Sequence, residues 1–308
     1  MRYVIIVARK YDVRTGDRLF QLFVASAAFA GLGLLAACFY EIYTLSKPAL
    51  EAFGFGLIFK NAWDPIQNEY GILAFVYGTV VTSFLAVMIA TPISVAAAAF
   101  LSELAPYYLK KSVAFLIEML AAIPSVVYGL WGIFVLAPFL RTTGEPFLAN
   151  TLGFLPFFQG APYGVGMLAA GLILAIMITP TIASLTREIF ETVPRSQREA
   201  ALALGATRWE SIKLGVLKSA IPGILGAVIL GLGRALGETM AVTMLIGNRN
   251  DISISLFDPA QTMASVLANE YNEASGLHLS ALASVGLALF VVSFFTNVIA
   301  RLIVWRSR

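Results

Sequence analysis

The sequence predicts an all-α integral membrane protein with six transmembrane helices. Hydrophobic residues make up 59% of the 308 residues and charged residues only 13%, whereas a soluble domain carries about a quarter charged residues. The mean hydropathy is +0.82. The apolar residues also fall into runs of about 20 residues or more, the length that crosses the hydrocarbon core of a bilayer as a helix.

Six apolar segments are long enough to span a bilayer: residues 20–45, 72–101, 112–140, 163–184, 219–246 and 279–304. Prolines lie inside three of them, at Pro92, Pro124 and Pro180. A proline in a membrane helix frees backbone groups that neighbouring helices or a cavity must satisfy. The three prolines therefore either kink the helices for packing or shape a pathway.

The distribution of basic residues predicts the orientation, because cytoplasmic loops are enriched in Lys and Arg. One side of the predicted topology holds only Lys47, Lys60, Arg141 and Arg249, and Arg234 lies within a span. All other basic residues lie on the opposite side, in the N-terminal tail, two loops and the C-terminus. Both termini are therefore expected in the cytoplasm.

The first span stands apart from the other five in the sequence. We divide the chain into residues 1–71, with the cytoplasmic tail, the first helix and an outer loop, and a core transmembrane domain of five helices at residues 72–308. The stretch LLAAC, which ends at Cys38, is similar to a bacterial lipoprotein cleavage site. Hydrophobicity continues through Phe39 and Tyr40, so we expect the first helix to be retained.

Residues 187–218 form a long cytoplasmic loop that reads as helix, turn and helix. Ser196 and Glu199 have the spacing of a capping box, and the alanines and leucines that follow favour a helix. Gly205 is expected to end that helix in the left-handed conformation. Such a helix either offers a surface to another protein or lies on the lipid surface, and the pattern leaves both readings open.

The segment EAALALGA, residues 199–206, followed by Pro222, resembles the EAA loop of type I ABC-importer permeases. The resemblance implies the fold of those permeases, in which this loop forms a coupling helix that docks into a cytoplasmic ATPase. The implied ATPase-coupling residues are Glu199, Ala200, Ala201 and Gly205. The chain has no G-x-x-x-x-G-K-[ST] phosphate loop, so we expect ATP and Mg to be bound by a separate ATPase subunit, with no cofactor in this chain.

Three charged residues lie deep inside predicted spans, away from their ends. Arg234 is about 22 Å along a helix from Ser219, at 1.5 Å per residue, which is near the bilayer midplane. Glu238 follows one turn later on the same predicted face, and Glu118 lies in the cytoplasmic third of the third span. Each buried charge costs roughly 2.5–3.5 kcal/mol. One reading is therefore a structural ion pair between Arg234 and Glu238, with Glu118 as a third member.

The other reading is an anion site. A guanidinium presents a planar fork of donors that matches the oxygens of phosphate or sulfate. Gly231, Gly233 and Gly237 leave room beside the helix, either for close packing or for a substrate. The Glu238 carboxylate would accept the proton that phosphate carries at neutral pH, whereas it would repel sulfate, which carries none.

Further motifs narrow the resemblance: GLGRALGETMAV (231–242), IGN (246–248), IPSVVYGLWG (123–132), YGTVVTS (77–83) and FLSELAP (100–106). Together they resemble the PstC family of phosphate-specific ABC-importer permeases over residues 61–303. The resemblance implies a role in phosphate passage for Arg234 and Glu238. Thr239, by adjacency, and Glu118, by depth, are further candidate pathway residues.

The resemblance also implies the partners and the location. It implies a PstA-like second permease in a heterodimer, a PstB-like ATPase dimer and a PstS-like periplasmic phosphate-binding protein. The ligands are inorganic phosphate and membrane lipid, with no nucleic acid and no metal. The chain is expected to be a translocation subunit rather than an enzyme, in the bacterial inner membrane.

Three alternatives remain at this stage. One is a permease for another oxyanion, such as sulfate or molybdate, which uses a loop of the same type. A second is a secondary anion transporter or a channel, which predicts an inverted repeat or a proton relay. A membrane-embedded enzyme is the third, and it needs a metal-ligand cluster or a nucleophile with its base. The sequence shows no inverted repeat or proton relay for a secondary transporter or channel. It also shows no metal-ligand cluster and no nucleophile with its base for an enzyme.

Overall fold

The computed structural model describes residues 15–54 and 56–306. Within these residues, six helical segments are long and apolar enough to cross a membrane: Phe20–Phe53, Leu73–Leu104, Ser125–Leu152, Met167–Thr192, Arg208–Gly237 and Gly276–Arg306. The predicted all-α fold with six spans is confirmed. Part of the predicted cytoplasmic tail, with Arg2, Arg9, Lys10 and Arg14, lies outside the described residues, as does Arg308.

Fourteen α-helices make up the described part of the chain. They are α1 Thr15–Phe53, α2 Gly56–Phe59, α3 Leu73–Ala99, α4 Tyr107–Ala121, α5 Ser125–Trp131, α6 Ala137–Phe139, α7 Glu145–Leu152, α8 Met167–Thr192, α9 Arg195–Ala203, α10 Arg208–Ser211, α11 Lys218–Gly237, α12 Met240–Leu245, α13 Met263–Glu270 and α14 Gly276–Arg306. Wider π-helical turns link several of them, at Phe100–Leu104, Gly132–Leu136, Leu140–Gly144 and Ile212–Leu217. A short 3₁₀ turn covers Pro156–Phe158.

The centre of the bundle is the contact between α3 and α8. α8 is the most enclosed span, because 67% of its most apolar window is buried, against 28% or less for the other five. The Ser94 hydroxyl donates to the carbonyl of Thr179 at 3.0 Å, directly before Pro180, which lies inside α8. This bond, together with the burial of Pro180, indicates that the proline region of α8 is part of the packing between the two helices.

The third span differs from the prediction. Residues 112–140 were expected to form one helix with Pro124 inside it, but α4 ends at Ala121 and α5 begins at Ser125. Pro124 has ψ 141° and stands at the N-terminal cap of α5. A proline has no backbone N–H and forces the residue before it away from the helical region. The spanning segment therefore begins after Pro124 and continues to Leu152.

The fifth span also differs. Residues 219–246 were expected to be one helix, but α11 ends at Gly237 and α12 starts at Met240. Glu238 lies between them with φ −70° and ψ 125°, an extended conformation. A glycine is a poor helix former inside an apolar segment, so Gly237 is a weak point at which packing can end the helix. Broken membrane helices of this kind occur where protein or a cavity satisfies the backbone.

An aromatic cluster with one acidic residue joins the outer loop after α1 to the last two helices. One carboxylate oxygen of Glu270 accepts a hydrogen bond from Trp63 Nε1 at 2.9 Å and also lies 2.9 Å from His278 Nε2. The Tyr70 ring stacks on His278 at 5.8 Å. Burial raises the pKa of the Tyr70 hydroxyl, and the charges of Glu270 and Asp64 add to that effect. The division of the chain at residue 71 remains a prediction.

Candidate functional site

Arg234 lies in the last turn of α11 and is half-buried. Its Nη1 atom donates a hydrogen bond to the hydroxyl of Thr181 on α8 at 3.3 Å. No carboxylate among the described residues comes within 4.0 Å of its guanidinium. Since a guanidinium has five N–H donors, most of the hydrogen-bonding capacity of Arg234 remains available to a ligand.

Glu238 is the residue that caps the C-terminus of α11, in extended conformation, and not part of the one continuous helix that was predicted. Its carboxylate accepts one long bond, 3.4 Å, from the backbone N–H of Ala241 in α12. Arg234 and Glu238 form no ion pair within 4.0 Å, so the predicted structural ion pair is absent from this structure.

The glycines around Arg234 divide into two kinds. A Cβ atom added to Gly231 would lie 2.7 Å from Ile182 Cδ1, so this glycine allows α11 to pack closely on α8. Added Cβ atoms at Gly233 and Gly237 would meet nothing within 4 Å. The sequence allowed either close packing or open space beside the helix: Gly231 packs closely, whereas Gly233 and Gly237 face open space.

Thr239 stands at the N-terminal cap of α12, directly after Glu238. Its hydroxyl donates to the carbonyl of Gly237 at 3.3 Å, and its own carbonyl accepts from the Thr243 hydroxyl at 2.7 Å. Thr239 is thus held within the break between α11 and α12. In the sequence, Arg234 precedes Glu238 by four residues and Thr239 follows it directly.

Glu118 belongs to a different region. It lies on α4, before the break at Pro124, and so outside the spanning segment in which it was predicted. Its carboxylate pairs with Arg187 near the end of α8 at 3.5 Å, and its side chain is 58% exposed. The prediction that Glu118 completes an ion-pair group with Arg234 and Glu238 is wrong in this structure.

One partner of Arg234 was missed by sequence reasoning. Thr181 supplies the hydrogen bond to the guanidinium. Polar side chains within apolar spans were the available signal, but only the folded bundle shows which of them reach Arg234.

The predicted coupling helix is α9. It begins at Arg195, with Pro194 at the cap, two residues before the predicted cap at Ser196. Pro194 supplies no side-chain hydrogen bond, and Ser196 falls inside the first turn, so the predicted capping box of Ser196 and Glu199 is wrong. The capping box in this loop belongs instead to Thr207 and Glu210, which start α10.

The end of α9 agrees with the prediction. Gly205 has φ +84°, the left-handed conformation that favours glycine. The Gly205 N–H bonds the Leu202 carbonyl at 2.9 Å, and the Ala206 N–H bonds the Ala201 carbonyl at 3.1 Å. This pair of bonds is a Schellman motif, which satisfies the last carbonyl groups of a helix.

The outer surface of this loop is apolar and open. Leu204 is 90% exposed and Trp209 is 65% exposed, while Glu199 and Ala200 are also exposed. A cavity of about 650 Å³ adjoins the helix and is lined by Gln197, Ala200, Ala201, Leu204, Gly205, Ala206, Glu210, Leu214, Gly215 and Ser219. The coupling residues thus lie on a surface with room for another protein.

Metal ligands are not grouped in the part of the chain that the structure describes: no three His, Cys, Asp or Glu residues lie close enough to hold an ion. The sole cysteine, Cys38, is exposed on α1.

The chain is similar to known transport proteins over most of its length. Residues 90–308 match the family described as binding-protein-dependent transport system inner membrane component. The phosphate transport system permease protein PstC of Haemophilus influenzae is 45% identical, over 98% of this chain and 97% of that protein. PstC of Mesorhizobium japonicum is 44% identical, over 94% of this chain and 90% of that protein.

Solved structures share the fold. A permease chain of the inward-facing MetNI methionine ABC transporter matches 80% of this chain and 100% of its own length, with a TM-score of 0.59 and 17% identity. A chain of the bacterial alginate ABC transporter, in complex with a periplasmic protein bound to an alginate pentasaccharide, matches 94% of this chain and 96% of its own length. Its TM-score is 0.62 at 13% identity.

These likenesses confirm the predicted ABC-importer permease fold and the predicted family. The six apolar helices and the family together identify a multi-pass inner membrane protein that acts as a translocation component and not as an enzyme. The chain belongs to the family of binding-protein-dependent transport system inner membrane components, together with the PstC permeases.

Proposed function

We propose that this chain is the permease subunit of an ATP-driven ABC importer that moves inorganic phosphate across the inner membrane. The names of its PstC relatives support the substrate. The observation that supports it most directly is Arg234, a half-buried guanidinium in an apolar span that makes one hydrogen bond and no ion pair within 4.0 Å.

The chemistry of Arg234 fits an oxyanion. A buried charge is costly in a membrane protein and marks ion or substrate pathways. A guanidinium stays charged at every relevant pH and binds phosphate oxygens in pairs. The open space beside Gly233 and Gly237 leaves room for an anion next to the helix.

Glu238 selects for phosphate in this proposal. Its carboxylate accepts only one long bond from the protein, to the Ala241 N–H, so it keeps acceptor capacity for a proton-bearing oxygen of phosphate. Sulfate carries no proton at neutral pH, so the negative charge of Glu238 only repels it. The Thr239 hydroxyl, in the same helix break, is a further polar contact for the anion.

Membership in this family implies partnership with an ATPase and a substrate-binding protein. The specific partners that we propose are a PstA-like permease as the second half of a heterodimer, a PstB-like ATPase dimer that binds ATP and Mg, and a PstS-like periplasmic phosphate-binding protein. Helix α9 is the docking element for the ATPase, and the exposure of Leu204 and the cavity beside it support that role.

Both termini lie in the cytoplasm in this proposal. Two basic loops that were predicted to be cytoplasmic contact each other: the loop between the second and third predicted spans and the loop at residues 187–218. Lys110 in one of them donates to the carbonyl of Ser102, and Arg198 in the other pairs with neighbouring Glu103 at 2.7 Å. Their contact supports a common cytoplasmic side. ATP binding at that side would then bias a two-state rocking of the bundle.

The test is reconstitution of the complete complex in vesicles, with measurement of phosphate uptake and ATP hydrolysis for Arg234→Ala and Arg234→Lys. We expect uptake to fall by at least about tenfold in Arg234→Ala, since a hydrogen bond to a charged group contributes roughly 1.5–3 kcal/mol. Basal ATP hydrolysis and assembly are expected to persist. Arg234→Lys keeps the positive charge but loses the planar fork of N–H donors, so its uptake should lie between that of the wild type and that of Arg234→Ala.

Arg249→Ala is the matched control, because Arg249 is an exposed arginine that pairs with Asp251 at 2.7 Å in an outer loop. Unchanged uptake in Arg234→Ala would contradict the proposed role, and loss of assembly would support a purely structural one. Transport of sulfate or molybdate in preference to phosphate would favour the other oxyanions. Uptake without any ATPase would favour a secondary transporter or channel.

A further inference from the structure

Arg198, on the coupling helix α9, ties three separate segments together. Its guanidinium donates to both carboxylate oxygens of Glu103, from Nη2 at 2.7 Å and from Nε at 3.1 and 3.2 Å. It also donates to the carbonyls of Phe190 at 2.9 Å and Val193 at 2.6 Å. One side chain therefore connects α9 with the end of α8 and with the π-helical turn Phe100–Leu104, which continues α3.

The environment of this pair differs from that of the exposed ion pairs in the protein. The Glu103 side chain is 12% exposed and that of Arg198 is 23% exposed. The exposed pair of Lys47 and Glu51 is 61% and 68% exposed, at 3.6 Å. Exposed pairs contribute little, because solvent screens them and two flexible side chains must be ordered. A partly buried pair in which the guanidinium bonds both carboxylate oxygens fixes the geometry of the segments that it joins.

The Glu103 end of the pair leads into the centre of the bundle. The turn Phe100–Leu104 follows α3 without a break, and α3 packs against α8 and α11. These two helices hold Thr181 and Arg234, which are hydrogen-bonded to each other. A displacement of α9 that is transmitted through Arg198 thus reaches the helices that position Arg234.

A second route from α9 runs along the chain. Residues 204–217 connect α9 to α11, and the Ser219 hydroxyl donates to Gln197 Oε1 at 2.8 Å. The Ser211 hydroxyl donates to the Arg198 carbonyl at 3.2 Å. The chain also joins α9 to α8 directly, through Val193 and Pro194. The contacts of Arg198 fix that junction and add α3 to the moving unit.

We propose that Arg198 and Glu103 form a positioning pair that makes α9, α3 and α8 move together when the ATPase closes. The proposal rests on the proposed function as an ATP-driven permease. Neither residue contacts the substrate in this view. Both act through the helices that they connect, and their effect is on how much transport each ATP hydrolysis produces.

The experiment uses the complete complex in vesicles, with phosphate uptake and ATP hydrolysis measured on the same preparation. The variants are Glu103→Gln, which keeps the shape and removes the charge, Arg198→Lys, which loses the fork, and the double variant. We expect uptake per ATP hydrolysed to fall by about fivefold or more, the lower end of typical coupling between sites. The double variant should be no worse than the worse single variant, because both break one interaction.

Glu51→Gln is the matched control, since it removes an exposed ion pair by the same chemical change and should leave the ratio unaltered. Co-purification of the ATPase and thermal stability of the complex separate positioning from folding. An unchanged ratio of uptake to hydrolysis overturns the proposal. So does a parallel loss of uptake, hydrolysis and assembly.

A readout that does not depend on phosphate separates this proposal from the proposed function. In a Cys38→Ser background, spin labels at Ser196→Cys on α9 and Phe84→Cys on α3 report the distance between the two helices. We expect ATP to leave that distance unchanged with Glu103 present and to change or broaden it in Glu103→Gln. Equal responses in both proteins overturn the proposal, whether or not the complex transports phosphate.

Discussion

The guanidinium of Arg234 is hydrogen-bonded to the hydroxyl of Thr181, with Nη1 and Oγ1 3.3 Å apart, and not to the nearby carboxylate of Glu238. Thr181 follows Pro180 in the most enclosed helix of the bundle. Arg234 is therefore anchored to the rigid centre of the fold, while its remaining donors stay available. The hydrogen bond to Thr181 thus orients the guanidinium of Arg234 without neutralising its positive charge.

Replacing Thr181 by valine should weaken phosphate transport without abolishing it. Valine keeps the shape of threonine and removes the hydroxyl, so Arg234 loses its anchor. We expect the KM for phosphate uptake to rise by about tenfold, corresponding to roughly 1.5 kcal/mol for a hydrogen bond to a charged group. The rate at saturating phosphate should change little.

Thr151→Val provides the control for that measurement, because the exposed Thr151 hydroxyl bonds only carbonyls of its own helix. A wild-type KM in Thr181→Val would show that the bond does not orient Arg234.

Replacing Glu238 by glutamine should reduce discrimination between phosphate and sulfate. The amide keeps the size of the side chain, but it removes the negative charge that repels sulfate and adds an N–H donor for its oxygens. We expect sulfate to compete with phosphate uptake in the variant at concentrations that leave the wild type unaffected. Unaltered selectivity and rate in the variant would rule out this role for Glu238.

Replacing Gly205 by alanine should weaken docking of the ATPase. Gly205 has φ +84°, and an L-residue in the left-handed region costs roughly 1–2 kcal/mol. The strain falls on the Schellman turn that presents Leu204, so less ATPase should co-purify with the permease. Gly226→Ala is the control, because an added Cβ there meets nothing within 4 Å in a helix. Equal ATPase recovery from both variants would count against the docking role of this turn.

Replacing Glu270 by glutamine should destabilise the outer side of the protein. One oxygen of Glu270 serves both Trp63 Nε1 and His278 Nε2, and the variant loses charge at that shared acceptor. We expect a loss of roughly 1 kcal/mol, the difference between a hydrogen bond to a charged group and one to a neutral group, measured as a lower unfolding temperature of the purified permease. Glu273→Gln, at an exposed position, should unfold as the wild type does. A stable Glu270→Gln protein would show that the aromatic packing alone holds this cluster.

The sequence by itself determined the features that depend on local composition. Six apolar runs must become helices, because lipid offers no hydrogen-bond partner to an open backbone. The left-handed end of α9 follows from Gly205 and its neighbours, and the cost of placing a charge among apolar residues marks Arg234 as a candidate pathway residue. These conclusions need no knowledge of how the helices meet.

The tertiary structure alone decided where helices stop within the apolar runs and which charges meet. Gly237 and Pro124 are each compatible with either a kinked or a broken helix, and the folded structure has a break at both positions. The partners of Arg198 and Arg234 lie 95 and 53 residues away in the chain. Contacts at that separation depend on the arrangement of the whole bundle, which periodicity and spacing do not encode.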